Sequence, residues 1–376
     1  MNEREPQEWR EIEVITRKEF LQTLAGATAL AALPVTTSAA AHSPASSERP
    51  QNKMKRGVSL YSYQESFYNR SMTLEDCIAE ASAIGAYGIE MLAEEMVPDF
   101  PNPSNQWVNQ WHALMDKYGT VADTYTQFQN TYLRKNRELA TDEGVEMLEM
   151  DFKLAKRLGF KHMRMLIGTP IDVIEKSLPL AEKYDIWMGS EVHAPSSLES
   201  PLTRKWIEVI DRTKTVNWGL NPDFGIFQNR PNRVQRERMI RDGMLQASIA
   251  SYIEAAWAEH VPRERASVEI AKMGAKDEDK AYLDTVYAIR MDNPKLLIEL
   301  MPYIRHCHGK FWEMTEDYEE RSIPYEQIIP VMIEGGYDGY IASEYEGQRY
   351  VQDVCGADDL EQVRRQHVMF KRLGMA

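Results

Sequence analysis

Cysteine is scarce in this chain of 376 residues, which contains only Cys77, Cys307 and Cys355. Three scattered cysteines exclude a disulfide framework and a thiolate zinc site, so we expect free thiols. Positively charged residues are also too few to balance the acids. The chain has 44 Lys and Arg against 58 Asp and Glu, so its net charge is −14. Nucleic acids and anionic membrane surfaces bind clustered basic residues, so this balance argues against both as main partners.

A long apolar stretch is found near the amino terminus, and it is too short to span a membrane. Residues 20–35 are mostly apolar, and small residues follow at 37–41, as in a cleavable export signal. Residues 16–21 are similar to a twin-arginine signal, with Lys18 in place of the second arginine. We expect a signal at 1–41, a linker at 42–53 and a periplasmic or secreted protein. A cytoplasmic protein with a disordered tail is the alternative.

The remaining chain has the composition of a globular protein, with 43% hydrophobic and 27% charged residues. Short apolar runs alternate with longer amphipathic stretches, the pattern of βα units around a parallel sheet. The predicted strands are 57–63, 88–92, 121–127, 163–167, 186–193, 216–223, 304–311 and 339–346. The predicted helices between and after them are 73–83, 105–118, 142–158, 171–183, 201–212, 325–334 and 358–373. Eight such units predict an α/β fold, a (β/α)8 TIM barrel over residues 54–376.

Residues 228–301 show helical patterns and no predicted strand, for example at 236–259 and 276–291. This segment is longer than one barrel helix requires. We therefore predict a helical insertion after the sixth strand, on the side where loops build the active site or a subunit contact.

Polar residues stand at the ends of four consecutive predicted strands, where TIM barrels carry their catalytic groups. These residues are Glu191, Asp223, His308 and Glu344. Three carboxylates and one imidazole suit Mn²⁺, Mg²⁺, Co²⁺ or Zn²⁺, and Mn²⁺ is preferred because most ligands are oxygens. A divalent cation would also offset the repulsion between buried carboxylates. Any one of these residues alone is better explained as a surface acid or a core histidine, but the four in this order favour a metal site.

The quartet Glu191, Asp223, His308 and Glu344 resembles the metal ligands of xylose-isomerase-like sugar isomerases and epimerases. The stretches 57–64 (GVSLYSYQ), 191–195 (EVHAP), 308–311 (HGKF) and 339–347 (GYIASEYEG) are most similar to the larger, alpha subunit of bacterial C-glycoside deglycosidases. This resemblance implies a sugar or C-glycoside substrate, and it allows a small second subunit and homo-oligomers. Ketose epimerases usually carry a substrate-binding histidine soon after the sixth-strand aspartate. Here Phe224 to Phe227 follow Asp223, which weakens epimerisation of a free ketose.

The implied reaction needs a base for the proton beside the substrate's carbonyl group. The resemblance implies that metal-bound Glu191 and Glu344 can supply it. His193 is the other candidate, because it lies two residues beyond Glu191 and an extended strand turns both to one face. An imidazole also suits proton transfer near neutral pH. We assign the base to His193, with the orientation of a metal ligand as its alternative role.

In a deglycosidase, the base removes the C2 proton of a 3-keto C-glycoside, and β-elimination then expels the aglycone from C1. Side chains placed by the same period of two, or at a strand end, are expected to bind the sugar: Arg164, Lys310, Glu346 and Gln127, with Tyr125 as a weaker candidate. Each could instead form a salt bridge at the rim. His162 and His306 are expected to support the site. A keto-sugar isomerase or epimerase and a non-catalytic sugar-binding barrel are the alternative functions.

Overall fold

The computed structural model describes residues 53–129, 137–166, 168–354 and 358–375. The expected export signal and the linker up to residue 52 lie outside this part, as does Cys355. Cys77 and Cys307 are buried free thiols. Among the described helices, none combines the length and apolar character that a membrane span needs.

Eight parallel strands form the wall of a barrel. They are β1 Lys55–Ser59, β2 Gly88–Leu92, β3 Val121–Gln127, β4 His162–Met165, β5 Trp187–Val192, β6 Trp218–Pro222, β7 His306–Phe311 and β8 Tyr340–Tyr345. Neighbours pair in the order β6-β5-β4-β3-β2-β1-β8-β7. Bridges from Leu220 to Ile304 and from Asp223 to His308 join the last two edges. The predicted (β/α)8 barrel is confirmed.

Helices cover the outside of the barrel and follow the strands in the chain. They are α1 Gln64–Tyr68, α2 Leu74–Ala83, α3 Ala93–Met96, α4 Asn105–Tyr118, α5 Thr141–Leu158, α6 Ile171–Tyr184, α7 Pro201–Thr213, α8 Arg233–Arg241, α9 Ala247–Ala258, α10 Arg263–Lys272, α11 Asp277–Tyr287, α12 Leu296–Leu300, α13 Tyr325–Glu334 and α14 Asp359–Arg372. Local signals fix many of these ends. Thr73 and Asp76 cap α2 reciprocally, and Gly119 ends α4 in the left-handed conformation at φ 64°.

The predicted first strand, 57–63, is too long. Strand β1 ends at Ser59, and residues Leu60–Tyr63 form a turn of 3-10 helix. The cause lies in β8, because the Ser62 hydroxyl donates to the Ser343 carbonyl and accepts from the Tyr345 amide, each at 2.9 Å. These bonds draw the chain across the carboxyl end of β8. As a result, Tyr61 faces the mouth of the barrel.

The predicted insertion after β6 is present as helices α8 to α12. The expected single helix at 236–259 is wrong, because α8 ends at Arg241 and α9 begins at Ala247. Gly243 lies between them with φ 72°, a left-handed conformation that a continuous helix does not contain. The insertion has its own small core, which includes Ile253 and Leu283.

The end of the insertion is tied to the loop that follows β5. The Asp292 carboxylate accepts a 2.6 Å hydrogen bond from the Leu198 amide. The Asp292 amide donates to the Ile226 carbonyl in the turn after β6. One residue of the insertion therefore contacts two loops at the carboxyl end of the barrel.

Candidate active site

The four predicted metal ligands meet at the carboxyl ends of β5 to β8. One ligand atom from each of Glu191, Asp223, His308 and Glu344 lies within 4.8 Å of the others, and all four residues are buried. Glu344 Oε2 is buried and makes no hydrogen bond with the described residues, although His308 Nδ1 and Lys310 Nζ lie 3.3 Å away. Three carboxylates, one imidazole and an unsatisfied buried oxygen fit a divalent cation.

His308 offers its two ring nitrogens to different partners. Nδ1 lies 3.0 Å from Glu191 Oε1 and faces the quartet. Nε2 lies 3.0 Å from both carboxylate oxygens of Glu90 on β2. Although burial lowers the pKa of His308, the Glu344 and Glu90 carboxylates raise it well above its ordinary value. Nδ1 is the nitrogen that can serve a metal in the quartet.

Two cations predicted to bind sugar are paired with ligands of the quartet. Lys310 Nζ lies 2.9 Å from Asp223 Oδ2, and the Arg164 guanidinium donates to Glu191 Oε2 at 2.7 Å. Although burial lowers the pKa of Lys310, Asp223 and Glu344 raise it well above its ordinary value. Lys310 is therefore an ammonium at neutral pH. These positive charges offset part of the carboxylate repulsion.

His193 stands just beyond β5, beside Lys310. Its Nε2 lies 2.9 Å from Lys310 Nζ and 3.6 Å from Asp223 Oδ2. Its Nδ1 lies 2.5 Å from the Ala194 carbonyl oxygen. An ammonium donates and cannot accept, so Nε2 accepts from Lys310 and Nδ1 donates to Ala194. His193 therefore carries a lone pair on Nε2, and its side chain is 37% exposed to the cavity mouth.

A cavity of about 320 Å³ opens over the quartet. Its lining includes Ser59, Tyr61, Gln64, Glu90, Leu92, Glu95, Thr126, Phe128, Arg164, Leu166, Glu191, His193, Lys310, Glu344, Glu346 and Arg349. Glu346 Oε2 lies 3.3 Å from Lys310 Nζ, and its Oε1 accepts from the Tyr61 hydroxyl at 3.2 Å. Arg164, Lys310 and Glu346 thus line the cavity, and their binding to a sugar stays a prediction.

The other two candidates from the third strand have different surroundings. Gln127 Nε2 donates to Gln129 Oε1 at 3.4 Å, whereas its neighbours Thr126 and Phe128 line the cavity. The Tyr125 hydroxyl donates to Asp151 on α5 at 2.7 Å. Tyr125 thus points into the layer between sheet and helices.

A chain of carboxylates and imidazoles continues below the quartet. Glu90 Oε2 accepts from His306 Nε2 at 2.8 Å, and His306 Nδ1 lies 2.8 Å from Asp123 Oδ2. His162 Nδ1 lies 3.2 Å from Asp123 Oδ1. Burial raises the pKa values of Glu90 and Asp123, but the histidines outweigh it and lower both below their ordinary values. His162 and His306 therefore contact carboxylates that support the site.

A family model described as "Xylose isomerase-like TIM barrel" matches residues 78–372. The chain belongs to this family. The C-glycoside deglycosidase alpha subunit of Arthrobacter globiformis is 26% identical over 323 residues, which cover 84% of this chain and 91% of the relative. The 3'-dehydrocarminate deglycosidase alpha subunit of a Microbacterium species is 28% identical over 332 residues, which cover 84% of this chain and 94% of the relative.

Solved structures share the fold at low sequence identity. D-Psicose 3-epimerase from Clostridium cellulolyticum superposes with a TM-score of 0.51 and 11% identity, covering 85% of this chain and 98% of its own. A probable 3-DHS dehydratase from Bacillus anthracis superposes with a TM-score of 0.51 and 14% identity. The match covers 85% of this chain and 99% of the dehydratase. At this identity the likeness shows the xylose isomerase-like fold alone.

Sequence reasoning missed Glu90 and Asp123 in this xylose isomerase-like barrel. Both lie in the middle of strands and not at the carboxyl ends, where TIM barrels carry their catalytic groups. A signal was present, because Glu90 is the single charged residue in the short strand Gly88–Leu92. A carboxylate in the middle of a buried strand needs a buried partner, so such a residue indicates an internal polar network.

Proposed function

We propose that this chain is the larger, catalytic subunit of a divalent-metal-dependent enzyme that cleaves the C–C bond of 3-keto C-glycosides by β-elimination. The observation that carries the proposal is the His193–Lys310 contact beside the quartet. It sets a proton acceptor and a proton donor 2.9 Å apart in one cavity. The deglycosidase alpha subunits that align with most of the chain support the same substrate class.

Glu191, Asp223, His308 and Glu344 would hold the cation, and Mn²⁺ is our first choice because three of these ligands are carboxylates. Bound there, the cation would act as a Lewis acid that stabilises negative charge on the substrate's carbonyl oxygen. Lys310 and Arg164 stay near the ligands and limit the net negative charge of the site.

The chain's own residues account for every proton in the reaction. The 3-keto group acidifies the C2 proton, and His193 Nε2 takes it while the C–H electrons form the C2=C3 enolate. As the C3 carbonyl re-forms, a C1=C2 double bond forms and the bond from C1 to the aglycone breaks. The aglycone carbon takes a proton from Lys310 Nζ. The proton on His193 then returns to Lys310, so neither an oxidant nor water is consumed.

The size and walls of the cavity suit one sugar ring beside the quartet. Its volume of about 320 Å³ lies at the lower end of ordinary ligand pockets, which span roughly 300–1,000 Å³. Glu346 and the Tyr61 hydroxyl stand at the rim, where they can bind sugar hydroxyls. Leu92, Phe128 and Leu166 add apolar surface for an aromatic aglycone.

The deciding experiment incubates purified, Mn²⁺-loaded protein with a 3-keto C-glucoside and, separately, with free ketoses. The incubations are run with and without the second subunit that the relatives' name "alpha subunit" implies. We expect release of free aglycone together with the C1=C2 enone, detected by liquid chromatography and mass spectrometry. Interconversion of ketoses with the C-glucoside left intact would instead support an isomerase or epimerase. Sugar binding without conversion would support a non-catalytic barrel.

A further inference from the structure

The carboxylate of Glu90 lies directly beneath the quartet and faces it through a single imidazole. Both of its oxygens lie 3.0 Å from His308 Nε2. The other nitrogen of the same ring, Nδ1, faces Glu191 and Glu344 at 3.0 and 3.3 Å. The ring of His308 is therefore shared between Glu90 on one side and the quartet on the other.

A carboxylate oxygen only accepts hydrogen bonds. Because Glu90 faces Nε2 of His308, that nitrogen carries the proton and donates it to Glu90. That leaves Nδ1 as the nitrogen with which His308 can bind a metal. We propose that Glu90 is a positioning residue that fixes the tautomer and orientation of His308 and thereby sets the metal affinity of the quartet. This inference rests on the metal site of the proposed function and does not depend on which reaction the site catalyses.

Besides His308, two donors hold Glu90 in place. Its Oε1 accepts from the Thr126 hydroxyl at 2.6 Å, and its Oε2 accepts from His306 Nε2 at 2.8 Å. Behind His306 stands Asp123, 2.8 Å from Nδ1. The side chain of Glu90 is 1% exposed. Both oxygens are occupied by donors, so Glu90 is anchored below His308 and is not free to join the quartet as a fifth ligand.

The same residues allow a different interpretation, a second cation held by Glu90, His306 and His308, whose ligand atoms also lie within 4.8 Å of one another. Such a site would need a lone pair on His306 Nε2 and another on His308 Nε2. His306 stands between two carboxylates, Glu90 and Asp123, and His308 stands between Glu90 and the quartet. Each ring has an acceptor at both nitrogens. This favours donated hydrogen bonds to Glu90, and one metal ion per chain.

Calorimetric titration of the full, metal-stripped chain with MnCl₂ tests the proposal. Glu90→Gln keeps the side-chain volume and removes the charge. N–H or O–H groups face both oxygens of Glu90, so the NH₂ group of the new amide would face another donor and could not form that hydrogen bond. Glu90→Asp keeps the charge and withdraws it by one methylene. Asp151→Asn is the matched control, since it removes another buried carboxylate, one that binds Tyr125 instead of the quartet. Circular dichroism confirms the folding of each variant.

We expect wild-type protein and Asp151→Asn to bind one equivalent of Mn²⁺ with equal affinity. Both Glu90 variants should bind it roughly 10–100-fold more weakly, the usual effect of losing a partner of a ligating histidine. Their Co²⁺-loaded forms should also show a shifted visible absorption spectrum, because the imidazole is no longer oriented.

Three results would overturn the proposal. One is wild-type affinity and an unchanged Co²⁺ spectrum in Glu90→Gln. Another is wild-type affinity in Glu90→Asp, which would mean that charge and not position matters. The third is a second equivalent of metal that disappears in the Glu90 variants. Absence of Mn²⁺ binding by the wild-type chain would instead reject the metal site of the proposed function.

Discussion

The protonation states of His193 and Lys310 follow from which of their nitrogen atoms can donate a hydrogen bond and which can accept one. Lys310 Nζ has acceptors at Asp223 and His193, each at 2.9 Å, and gives a proton to both. His193 is thereby held with the lone pair of Nε2 toward Lys310 and the N–H of Nδ1 toward the Ala194 carbonyl. The pair places one proton acceptor and one proton donor beside the quartet, and the proposed elimination uses one of each.

Replacing His193 by Asn removes this lone pair without removing a ligand, because Nε2 lies 3.6 Å from the nearest quartet oxygen, Asp223 Oδ2. We expect turnover of the 3-keto C-glycoside to fall roughly 10²–10⁴-fold, the usual effect of losing a general base. Metal content, measured by plasma mass spectrometry, should stay near the wild-type value. Normal turnover, or loss of metal in step with activity, would move the base assignment to Glu191 and Glu344.

Replacing Lys310 by Met should change stability and metal affinity in opposite directions. The ammonium lies 2.9 Å from Asp223 and 3.3 Å from Glu344, both buried. Without it, the metal-free protein should lose about 3–5 kcal/mol of unfolding free energy, because buried carboxylates lose their partner. Mn²⁺ should bind about tenfold more tightly, since a competing positive charge is gone.

Urea unfolding with and without Mn²⁺, together with calorimetric titration, measures both effects of the Lys310 substitution. Lys310→Arg retains the positive charge and serves as the control, in which neither change should reach the size seen with Met. Unchanged Mn²⁺ affinity in Lys310→Met would show that the ammonium does not compete with the metal for the quartet.

At the scale of elements, the loop after β5 is held by the helical insertion. Leu198 in this loop donates its amide proton to Asp292. Burial raises the pKa of Asp292 from 3.8 to about 6, although the Leu198 hydrogen bond lowers it in part. The loop that begins at His193 is thus attached to a carboxyl group that titrates below neutral pH.

The Asp292→Asn variant should therefore alter the pH dependence of stability. The folded chain binds the Asp292 proton more tightly than the unfolded chain, so this group favours folding most below about pH 4 and least above pH 6. Asn is neutral throughout and still offers a carbonyl oxygen to Leu198. We expect its melting temperature to exceed wild type by a few degrees at pH 7–8, corresponding to at most about 3 kcal/mol. The difference should vanish near pH 4, and a constant difference across this range would contradict the assignment.

The elements were predictable where their ends depend on neighbouring residues. Helix α4, Asn105–Tyr118, and helix α13, Tyr325–Glu334, have the predicted bounds, because caps, glycine and apolar spacing act locally. The end of β1 was not predictable, since Ser62 takes its partners from Ser343 and Tyr345, some 280 residues later. The break at Gly243 depends on how α8 and α9 pack within the insertion, and a pattern of apolar residues does not show this.

The same distinction applies to the candidate site. Glu191, Asp223, His308 and Glu344 could be selected because barrel topology brings consecutive strand ends together. Their pairing with Arg164 and Lys310 could not, because both cations were expected to bind sugar and the pairing depends on side-chain conformation. The internal chain from Glu90 to Asp123 required knowing which strands face each other across the barrel.

For the whole molecule, the quartet concentrates negative charge in a protein that already carries a net charge of −14. Glu191, Asp223 and Glu344 are buried together. Folding must overcome the repulsion between their charges, because bulk water does not screen buried charges. Arg164 and Lys310 offset part of this cost. A divalent cation that bound only the folded chain would offset more, and metal occupancy would then be linked to global stability.

Removing the metal should accordingly lower stability and activity together. A ligand present at 100 times its dissociation constant stabilises the folded state by about 2.7 kcal/mol, so chelation should lower the melting temperature by several degrees. Aglycone release should stop at the same time, and added Mn²⁺ should restore both. Asp223→Asn keeps the shape of one ligand and removes its charge, so its melting temperature should respond far less to Mn²⁺. A wild-type chain that melts and turns over identically with chelator or Mn²⁺ would show that the two buried cations, Arg164 and Lys310, suffice to balance the quartet.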